Sequence, residues 1–365
     1  MRQSRPVKVG RVQLGGGAPV CVQSMTKTDT RDVDATVRQI QELAAAGCEI
    51  VRLAVPDGEA ASRLGEIKKA SPVPLVADIH YDYRLALEAL RQGVDKLRLN
   101  PGNIGPRWKV EEVARAARDR GVPIRIGVNA GSLERQAAAA AAQGTSRARA
   151  MLESALRQAE ILEGVGFSQI VLSLKAVDIP TTIAANRLAA AATPYPLHLG
   201  VTEAGTAWPG AIRSAVGLGV LLLEGIGDTI RVSLNAPPRL EVEAAWHILR
   251  AVGLRQQGVE LIACPTCGRC QVDLMPVAEK VERALAAVKD PLRVAVMGCV
   301  VNGPGEAREA DVGVAAGKGQ GVLFRHGQVV RKVPESDMVE ELLAEVEAVL
   351  RERRAAAESE GGGDR

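Results

Sequence analysis

The chain has 365 residues, 46 Lys+Arg against 43 Asp+Glu for a formal net charge of +3, 47% hydrophobic and 24% charged side chains, the profile of a folded globular protein. A balance that close supplies no overall basic field for nucleic acid, and three Trp, three Tyr and two Phe supply no base-stacking platform. Six cysteines are too sparse for a disulfide scaffold, no apolar run approaches the roughly 18 residues of a membrane span, and the basic stretch MRQSRPVKVGRVQLGGG lacks the apolar centre of a secretory signal, so a reducing, cytoplasmic compartment is expected.

From residue 19 to about 250, short apolar runs alternate with longer segments of helical period. The runs are PVCVQSM (19–25), EIVRLAV (49–55), PLVADIH (74–80), DKLRLN (95–100), PIRIGVN (123–129), SQIVLSLK (168–175), PLHLGVTE (196–203) and DTIRVSL (228–234). Rich in Val, Ile and Leu, with polar residues mainly near their ends, they read as strands of a parallel sheet buried on both faces. Between the first two, a helix opens at Asp32, an N-cap residue, sets Val33, Val37, Ile40 and Ala44 on one face and stops at Gly47. Another carries Leu152, Ala155, Leu156, Ala159 and Leu162 and stops at Gly164. Eight βα units over about 230 residues predict an α/β fold, a TIM (β/α)8 barrel spanning 1–254. A doubly wound sheet would carry G-x-G-x-x-G after its first strand, and none is present.

The pattern changes near residue 250, where VGLRQQGVEL reads as a connection into a smaller α/β domain over 255–351. Leu274, Val277, Val281, Leu285 and Val288 mark a helix there, LRVAVM (292–297) a strand, DVGVAA, GVLF and QVVRKV short strands, and residues near 335–351 a final helix. The charged, Gly-rich residues 352–365 read as a disordered tail.

In such a barrel the chemistry lies at the C-terminal ends of the strands. Those ends hold Gln23 and Ser24, Arg52, Asp78 and His80, Arg98 and Asn100, Arg125 and Asn129, Ser173 and Lys175, His198, Thr202 and Glu203, and Arg231 and Ser233. Unpaired cations repel and desolvate badly, so four arginines and a lysine at one mouth call for an anionic ligand. Guanidinium forks suit phosphate oxygens, which implies a phosphate or diphosphate ester as substrate. For any single arginine a helix carboxylate is an equally good partner. Asp78 and His80, two apart on one strand, share a face. They form an acid/base pair or ligands of a substrate hydroxyl, or else a buried His satisfied by its Asp. Glu203 is a proton donor or a partner of one of the cations. His247 and His326 read as structural or surface residues.

The cysteines divide. Cys21 and Cys48 stand alone in apolar surroundings, as barrel filler. Cys264, Cys267 and Cys270 form C-x-x-C-x-x-C in LIACPTCGRC, with Cys299 further on in VMGCVVNGPGE. A C-x-x-C pair puts two thiolates on one tight turn, next to a single metal centre. Four thiols make a structural zinc site; three make an iron–sulfur site with one position left over. A zinc knuckle would give Cys299 a C-x-x-C partner of its own. Cys299 instead leads into the turn Asn302-Gly303-Pro304-Gly305-Glu306, which delivers a carboxylate, a weaker and more displaceable ligand on iron than a thiolate. The zinc reading carries a different function with it: a phosphate-binding barrel whose structural zinc module docks a partner.

Taken together, VQSMTKTDT (22–30), ADIHYD (77–82), LRLNPGN (97–103), RIGVNAGSL (125–133), SLKA (173–176), LGVTEAG (199–205), CPTCGR (264–269) and GCVVNGPGE (298–306) resemble the 4-hydroxy-3-methylbut-2-en-1-yl diphosphate synthase family in its two-domain bacterial form. The motifs run in order from about residue 5 to about 350. The resemblance implies an iron–sulfur oxidoreductase of the non-mevalonate isoprenoid pathway. Its TIM barrel would bind 2-C-methyl-D-erythritol 2,4-cyclodiphosphate, and a 4Fe–4S cluster, fed by flavodoxin or ferredoxin, would open the ring reductively with loss of a hydroxyl. Carried over by motif, the cluster ligands are Cys264, Cys267, Cys299 and Glu306, with Cys270 a bystander. The substrate-binding residues are Arg52, Arg98, Asn100, Arg125, Asn129, Lys175, Arg231 and Ser233, and the catalytic residues are Glu203, Glu306, Asp78 and His80. The resemblance also implies a homodimer in which one subunit's cluster domain covers the other's barrel. A barrel of the pteroate-synthase type, suggested by RIGVN, would leave the cysteines unexplained.

Overall fold

A computed structural model describes residues 1–99, 104–133, 146–270, 272–299, 305 and 308–361. The chain separates into two compact units, Met1–Arg255 and Gln256–Arg365.

The first unit opens with a hairpin, β1 (Val7–Val9) and β2 (Val12–Leu14), turned at Gly10 with φ 54°, a backbone angle glycine adopts without strain. Eight parallel strands come next: β3 (Cys21–Met25), β4 (Ile50–Ala54), β5 (Leu75–Ile79), β6 (Lys96–Leu99), β7 (Ile124–Asn129), β8 (Ile170–Lys175), β9 (His198–Leu199) and β10 (Thr229–Ile230). They pair in the order β8-β7-β6-β5-β4-β3-β10-β9. A parallel bridge between Leu172 and Leu197 joins the two ends, with Leu172 N donating to Pro196 O at 2.9 Å. This is the TIM barrel expected from the βα alternation. β9 and β10 are shorter than the runs 196–203 and 228–234 suggested. Past Leu199 and Ile230 the chain leaves the ladder to shape the barrel mouth, and Glu203 takes φ 51° there.

The helices between and after the strands are α1 (Val33–Ala45), α2 (Gly58–Ala70), α3 (Tyr83–Arg91), α4 (Arg107–Asp119), α5 (Arg147–Glu163), α6 (Ile179–Ala192), α7 (Ala207–Leu223) and α8 (Pro238–Ala251). Their starts are written in short polar side chains. Asp32, Asp57, Asp82, Ser146 and Asp178 each accept from a backbone N–H of the first turn.

Alternation along the strands sorts their side chains. Leu53, Leu75, Ala77, Ile79, Leu97, Leu99, Ile124, Ile126, Leu172 and Leu174 point outward and join the helices in the main core. At the floor the inward side chains are apolar: Cys21, Ile50, Val76 and Val171 pack against Val7, Val9 and Leu14 of the hairpin. The hairpin therefore plugs the bottom of the barrel. Both lone cysteines are buried filler, and burial pushes the Cys48 thiol up to about 12.

The second unit is a mixed five-stranded sheet in the order β11 (Val259–Ala263), β12 (Leu292–Met297), β13 (Val312–Gly317), β14 (Gln320–Arg325), β15 (Gln328–Pro334). The first three strands are parallel and the last two antiparallel. Helices α9 (Leu274–Leu285) and α10 (Met338–Gly361) cover it through Leu274, Val281, Leu342 and Val346. Val259–Leu261, read as part of a connection, belong to β11. The expected disordered tail 352–365 is corrected as well. Helix α10 continues to Gly361 through an Ala-rich stretch of high helix propensity. Its side chains are tied back by Glu352 to Arg325 at 2.9 Å, by Arg354 to Asp290 at 2.6 Å and by Arg353 to Asp311. Residues 362–365 lie outside the described residues.

Candidate active site at the barrel mouth

Above its apolar floor the barrel interior is polar, and most of the polarity is cationic. Arg52 from β4, Asp78 from β5 and Arg98 from β6 form one constellation with His80, just beyond β5. Arg98 Nη1 donates to Asp78 Oδ1 at 2.9 Å, Arg52 Nε lies 3.5 Å from Asp78 Oδ2, and His80 Nε2 stands 2.9 Å from Arg98 Nη1 and 3.4 Å from Asp78 Oδ2. Arg52 also donates to Met25 Sδ at 2.9 and 3.1 Å. Two glycines, one within β7 and one just past β9, make room for long side chains. A Cβ on Gly127 of β7 would fall 2.9 Å from Arg98 Nε, and one on Gly200 would fall 2.6 Å from Lys175 Nζ.

The charges do not cancel. Arg98, Arg125 and Lys175 are buried, and the side chains of Arg52 and Arg231 are 13% and 12% exposed. Among the described residues, the carboxylates in contact with this set are Asp78 and Glu241. Burial alone would raise the Asp78 pKa, but Arg52, His80 and Arg98 outweigh it and hold the carboxyl well below its ordinary range. On the cations, burial and mutual repulsion act together. Arg52 is pushed down to about 9, by burial first and then, against the pull of Asp78, by Arg231 and Arg98. Arg125 and Lys175 are driven well below their ordinary values, again by burial first and then by neighbouring arginines. Guanidinium groups keep their proton in proteins, so for the arginines this measures positive charge awaiting an anion. The buried Nε atoms of Arg98, Arg125 and Arg231 also lack a hydrogen-bond partner, although buried donors are normally satisfied.

The other expected site residues are spread around the same mouth. Asn129 ends β7 and Ser233 comes after β10, both half-buried; Ser173 is buried on β8. Glu203 is exposed, and its positive φ is uncommon for a residue with a side chain and occurs often at functional sites. Ser24 points the other way, donating to Glu241 Oε2 at 3.0 Å. His247 and His326 are at the surface. Asn100 lies outside the described residues.

Three residues were missed at the sequence level. Lys96, fully buried on β6 and one inward position below Arg98, lies 3.4 Å from Gln23 Oε1, and Gln23 Nε2 donates to Thr229 Oγ1 at 2.6 Å. Burial, then Arg125 and Arg52, push the Lys96 amine down to about 7. The alternation K-L-R-L in DKLRLN carried that signal. Glu241 on α8, also buried, accepts from Ser24 Oγ and from Leu234 N at 3.1 Å, and pairs with Lys27 at 3.2 Å and Arg231 at 3.5 Å. It lies on the apolar face of its helix with Ala245, Ile248 and Leu249, where a lone carboxylate requires partners. His198 was noted as a polar strand end without a role. Its Nε2 lies 3.2 Å from Lys175 Nζ.

In the second unit, Cys264 directly follows β11, its N–H donating to Val296 O at 3.0 Å, and Cys299 lies just past β12. Because β11 and β12 are parallel neighbours, both cysteines emerge at the same sheet edge. Thr266, with φ 59°, turns the C-P-T-C segment, and Cys270 N donates to Cys267 O at 2.8 Å. Cys270 is half-buried. Its Sγ donates to Val272 O at 3.2 Å and occupies the space beside Gly298, where a Cβ would meet it at 2.5 Å. Among the described residues no disulfide is present, and no three thiols, imidazoles or carboxylates already share one ion-sized site. Glu306 lies outside the described residues. The donor chemistry nonetheless fits an iron–sulfur cluster: soft thiols on a tight turn and an adjoining strand end, with the fourth thiol turned into the protein.

Residues 4–246 match the family model described as the GcpE TIM-barrel domain, and residues 260–348 match the GcpE protein C-terminal domain. The chain is 61% identical over 351 residues, 96% of its length and 99% of the relative's, to the 4-hydroxy-3-methylbut-2-en-1-yl diphosphate synthase (flavodoxin) of Geobacter sulfurreducens. It is 56% identical over 345 residues, 94% of its length and 98% of the relative's, to the protein of the same description from Thermodesulfovibrio yellowstonii. Among solved structures it is similar to Plasmodium falciparum HPPK-DHPS, with a TM-score of 0.50 at 11% identity over 68% of this chain and 51% of that one, a likeness of fold alone.

Proposed function

The chain belongs to the GcpE family of 4-hydroxy-3-methylbut-2-en-1-yl diphosphate synthases, and on that footing we propose how its residues divide the reaction. It is an oxidoreductase of isoprenoid biosynthesis that reduces 2-C-methyl-D-erythritol 2,4-cyclodiphosphate to 4-hydroxy-3-methylbut-2-en-1-yl diphosphate. A partner-docking zinc module finds no support.

The observation that carries the division of labour is the uncompensated cation set around Asp78. Arg52, Arg98, Arg125, Lys175 and Arg231 hold the diphosphate, assisted by Asn100, Asn129 and Ser233. Asp78 fixes the two guanidinium groups of Arg52 and Arg98, and His80, its side chain 46% exposed, meets a substrate hydroxyl. As the ring opens, the bond between carbon and a phosphate oxygen breaks and charge grows on the diphosphate. Cations already fixed in a water-poor site stabilise that charge without reorganising. Loss of the hydroxyl as water consumes a proton, which Glu203 supplies. A 4Fe–4S cluster on Cys264, Cys267, Cys299 and Glu306 would supply the two electrons. Flavodoxin, named in the descriptions of the relatives, is the proposed donor, with ferredoxin an equivalent one-electron carrier.

We also propose that the protein works as a homodimer in the cytoplasm; no helix among the described residues is long and apolar enough to cross a membrane. Anaerobic purification tests the reading. Iron and sulfide near about four each per chain, with turnover of the cyclic diphosphate by a reduced donor, support it. A colourless protein holding one zinc and inert toward that substrate overturns it.

A further inference from the structure

His198 has no part in the reaction described so far. It opens β9, wholly buried, with its side chain directed into the barrel. Its Nε2 lies 3.2 Å from Lys175 Nζ on the neighbouring strand, while its Nδ1 is buried without a partner. Two residues on, a Cβ on Gly200 would sit 2.6 Å from Lys175 Nζ and 2.8 Å from Arg231 O. The lysine head is thus confined by an imidazole on one side and, on another, by a glycine whose missing side chain is the space it fills. An ammonium has three N–H donors and no acceptor, so a single hydrogen bond to His198 leaves two for a ligand.

We propose that His198 is a positioning residue for Lys175. By accepting at Nε2 it keeps the ammonium protonated and directed into the mouth, so that diphosphate binding and protonation of Lys175 become one event. The inference rests on the diphosphate reading of the mouth. Among the described residues, the charges that act on His198 are Lys175 from β8, in contact with it, and Arg125 from β7, Lys96 from β6 and Arg52 from β4, and Arg231 and Arg98 also act on Lys175. Among the described residues the nearby carboxylates are engaged elsewhere: Asp78 by Arg52 and Arg98, Glu241 by Lys27 and Arg231, and Asp228 by Ser4 Oγ at 2.5 Å and Leu197 N at 2.7 Å. Burial and then those cations drive His198 well below the ordinary imidazole range, so it is a neutral acceptor. The same causes lower Lys175, and a bound diphosphate reverses the field that lowers it. Binding that needs this proton weakens as pH rises through the free-state value of Lys175. Without the acceptor that value falls further, and the weakening starts at lower pH.

The test is equilibrium binding of the cyclic diphosphate to the cluster-loaded protein, without reductant, from about pH 6 to about pH 9. In His198→Leu the loss of affinity begins at lower pH and reaches about tenfold relative to the native protein near the alkaline end. His198→Gln, which keeps an acceptor of similar reach but does not titrate, restores the native profile. If the Leu variant does not fold, His198→Asn, too short to reach Nζ, replaces it with the same expectation. A profile superimposed on the native one, or a Gln variant as impaired as the Leu one, overturns the inference and leaves the functional reading standing. A native protein that binds no cyclic diphosphate at any pH overturns both.

Discussion

Asp78 Oδ1 lies 2.9 Å from Arg98 Nη1, and both side chains are about 5% exposed or less. A pair so far from water is sustained by its company: Arg52 takes the second carboxylate oxygen, and an anion is still needed for the charge that remains. Replacing Asp78 by Asn leaves two guanidinium groups unpaired in a dry site, where breaking a buried pair costs about 3–5 kcal/mol. Thermal unfolding of Asp78→Asn should show a lower midpoint, partly restored by inorganic diphosphate. The contribution of Asp78 is fully present above the ordinary carboxylate pKa of about 4 and is lost as pH falls toward its depressed folded value. The gap between native and variant should therefore be wide at neutral pH and close only in strong acid. An unchanged midpoint at neutral pH contradicts the structural role.

Gly127→Ala is a small change in a strand, where alanine is ordinarily the better residue. Here its methyl would fall 2.9 Å from Arg98 Nε, and the guanidinium must move. The expected result is a KM for the cyclic diphosphate raised on the order of tenfold, the value of one charge-assisted contact, with little change in melting temperature. Wild-type kinetics would mean that Arg98 is not held where the geometry puts it.

Lys96 makes the opposite trade. With its folded-state value at about 7 and an ordinary value near about 10.4, the unfolded chain binds the extra proton throughout that interval. Native stability therefore rises with pH across it. Lys96→Met should stabilise the ligand-free protein by a few kcal/mol, on the order of the linkage energy. The gain should be largest below about pH 7 and fade toward about pH 10. Binding of the diphosphate should weaken at the same time. Melting curves at several pH values check the first claim and calorimetry the second.

For the cysteines, a series of single Ser replacements discriminates ligand from bystander. Cys264→Ser, Cys267→Ser and Cys299→Ser should lose most iron on anaerobic reconstitution, whereas Cys270→Ser should retain it, because its thiol faces Val272 O and Gly298. Iron loss in the Cys270 variant equal to the others would make it a ligand.

Glu203→Gln should leave binding of the cyclic diphosphate near native and cut kcat by roughly 100-fold or more, the range for removing a positioned general acid. An unaltered kcat removes Glu203 from proton delivery.

The strand-end residues were readable from sequence because a buried parallel strand is monotonous, and a charge within it stands out. Arg52, Asp78, Arg98 and Lys175 declare themselves in this way, and the structure connects each of them to the mouth. Lys96 escaped because it starts its strand, where a lysine passes for a flanking residue; only the closed ring of strands shows that its side chain points into the barrel. Glu241 escaped because its partners, Ser24 and Arg231, are 217 and 10 positions away, and sequence spacing carries no trace of such contacts. The helix of residues 352–361 was misread because composition weighed Gly and charge over the propensity of three alanines and the partners waiting for it, the acceptors Asp290 and Asp311 and the donor Arg325.

The hairpin that plugs the barrel floor has a consequence for how the molecule assembles. Val7, Val9 and Leu14 rest on strands contributed by residues up to Val171, and the segment before them is fastened still further along: Arg2 to carbonyls 188 to 193 positions away and Ser4 to Asp228, 224 positions away. Contacts of such sequence separation close the largest loops and slow the approach to the native state. The anchors of the plug are therefore complete only once the strand starts near Tyr195 and Asp228 are in place, and with the floor closed an anion reaches the buried cations from the mouth.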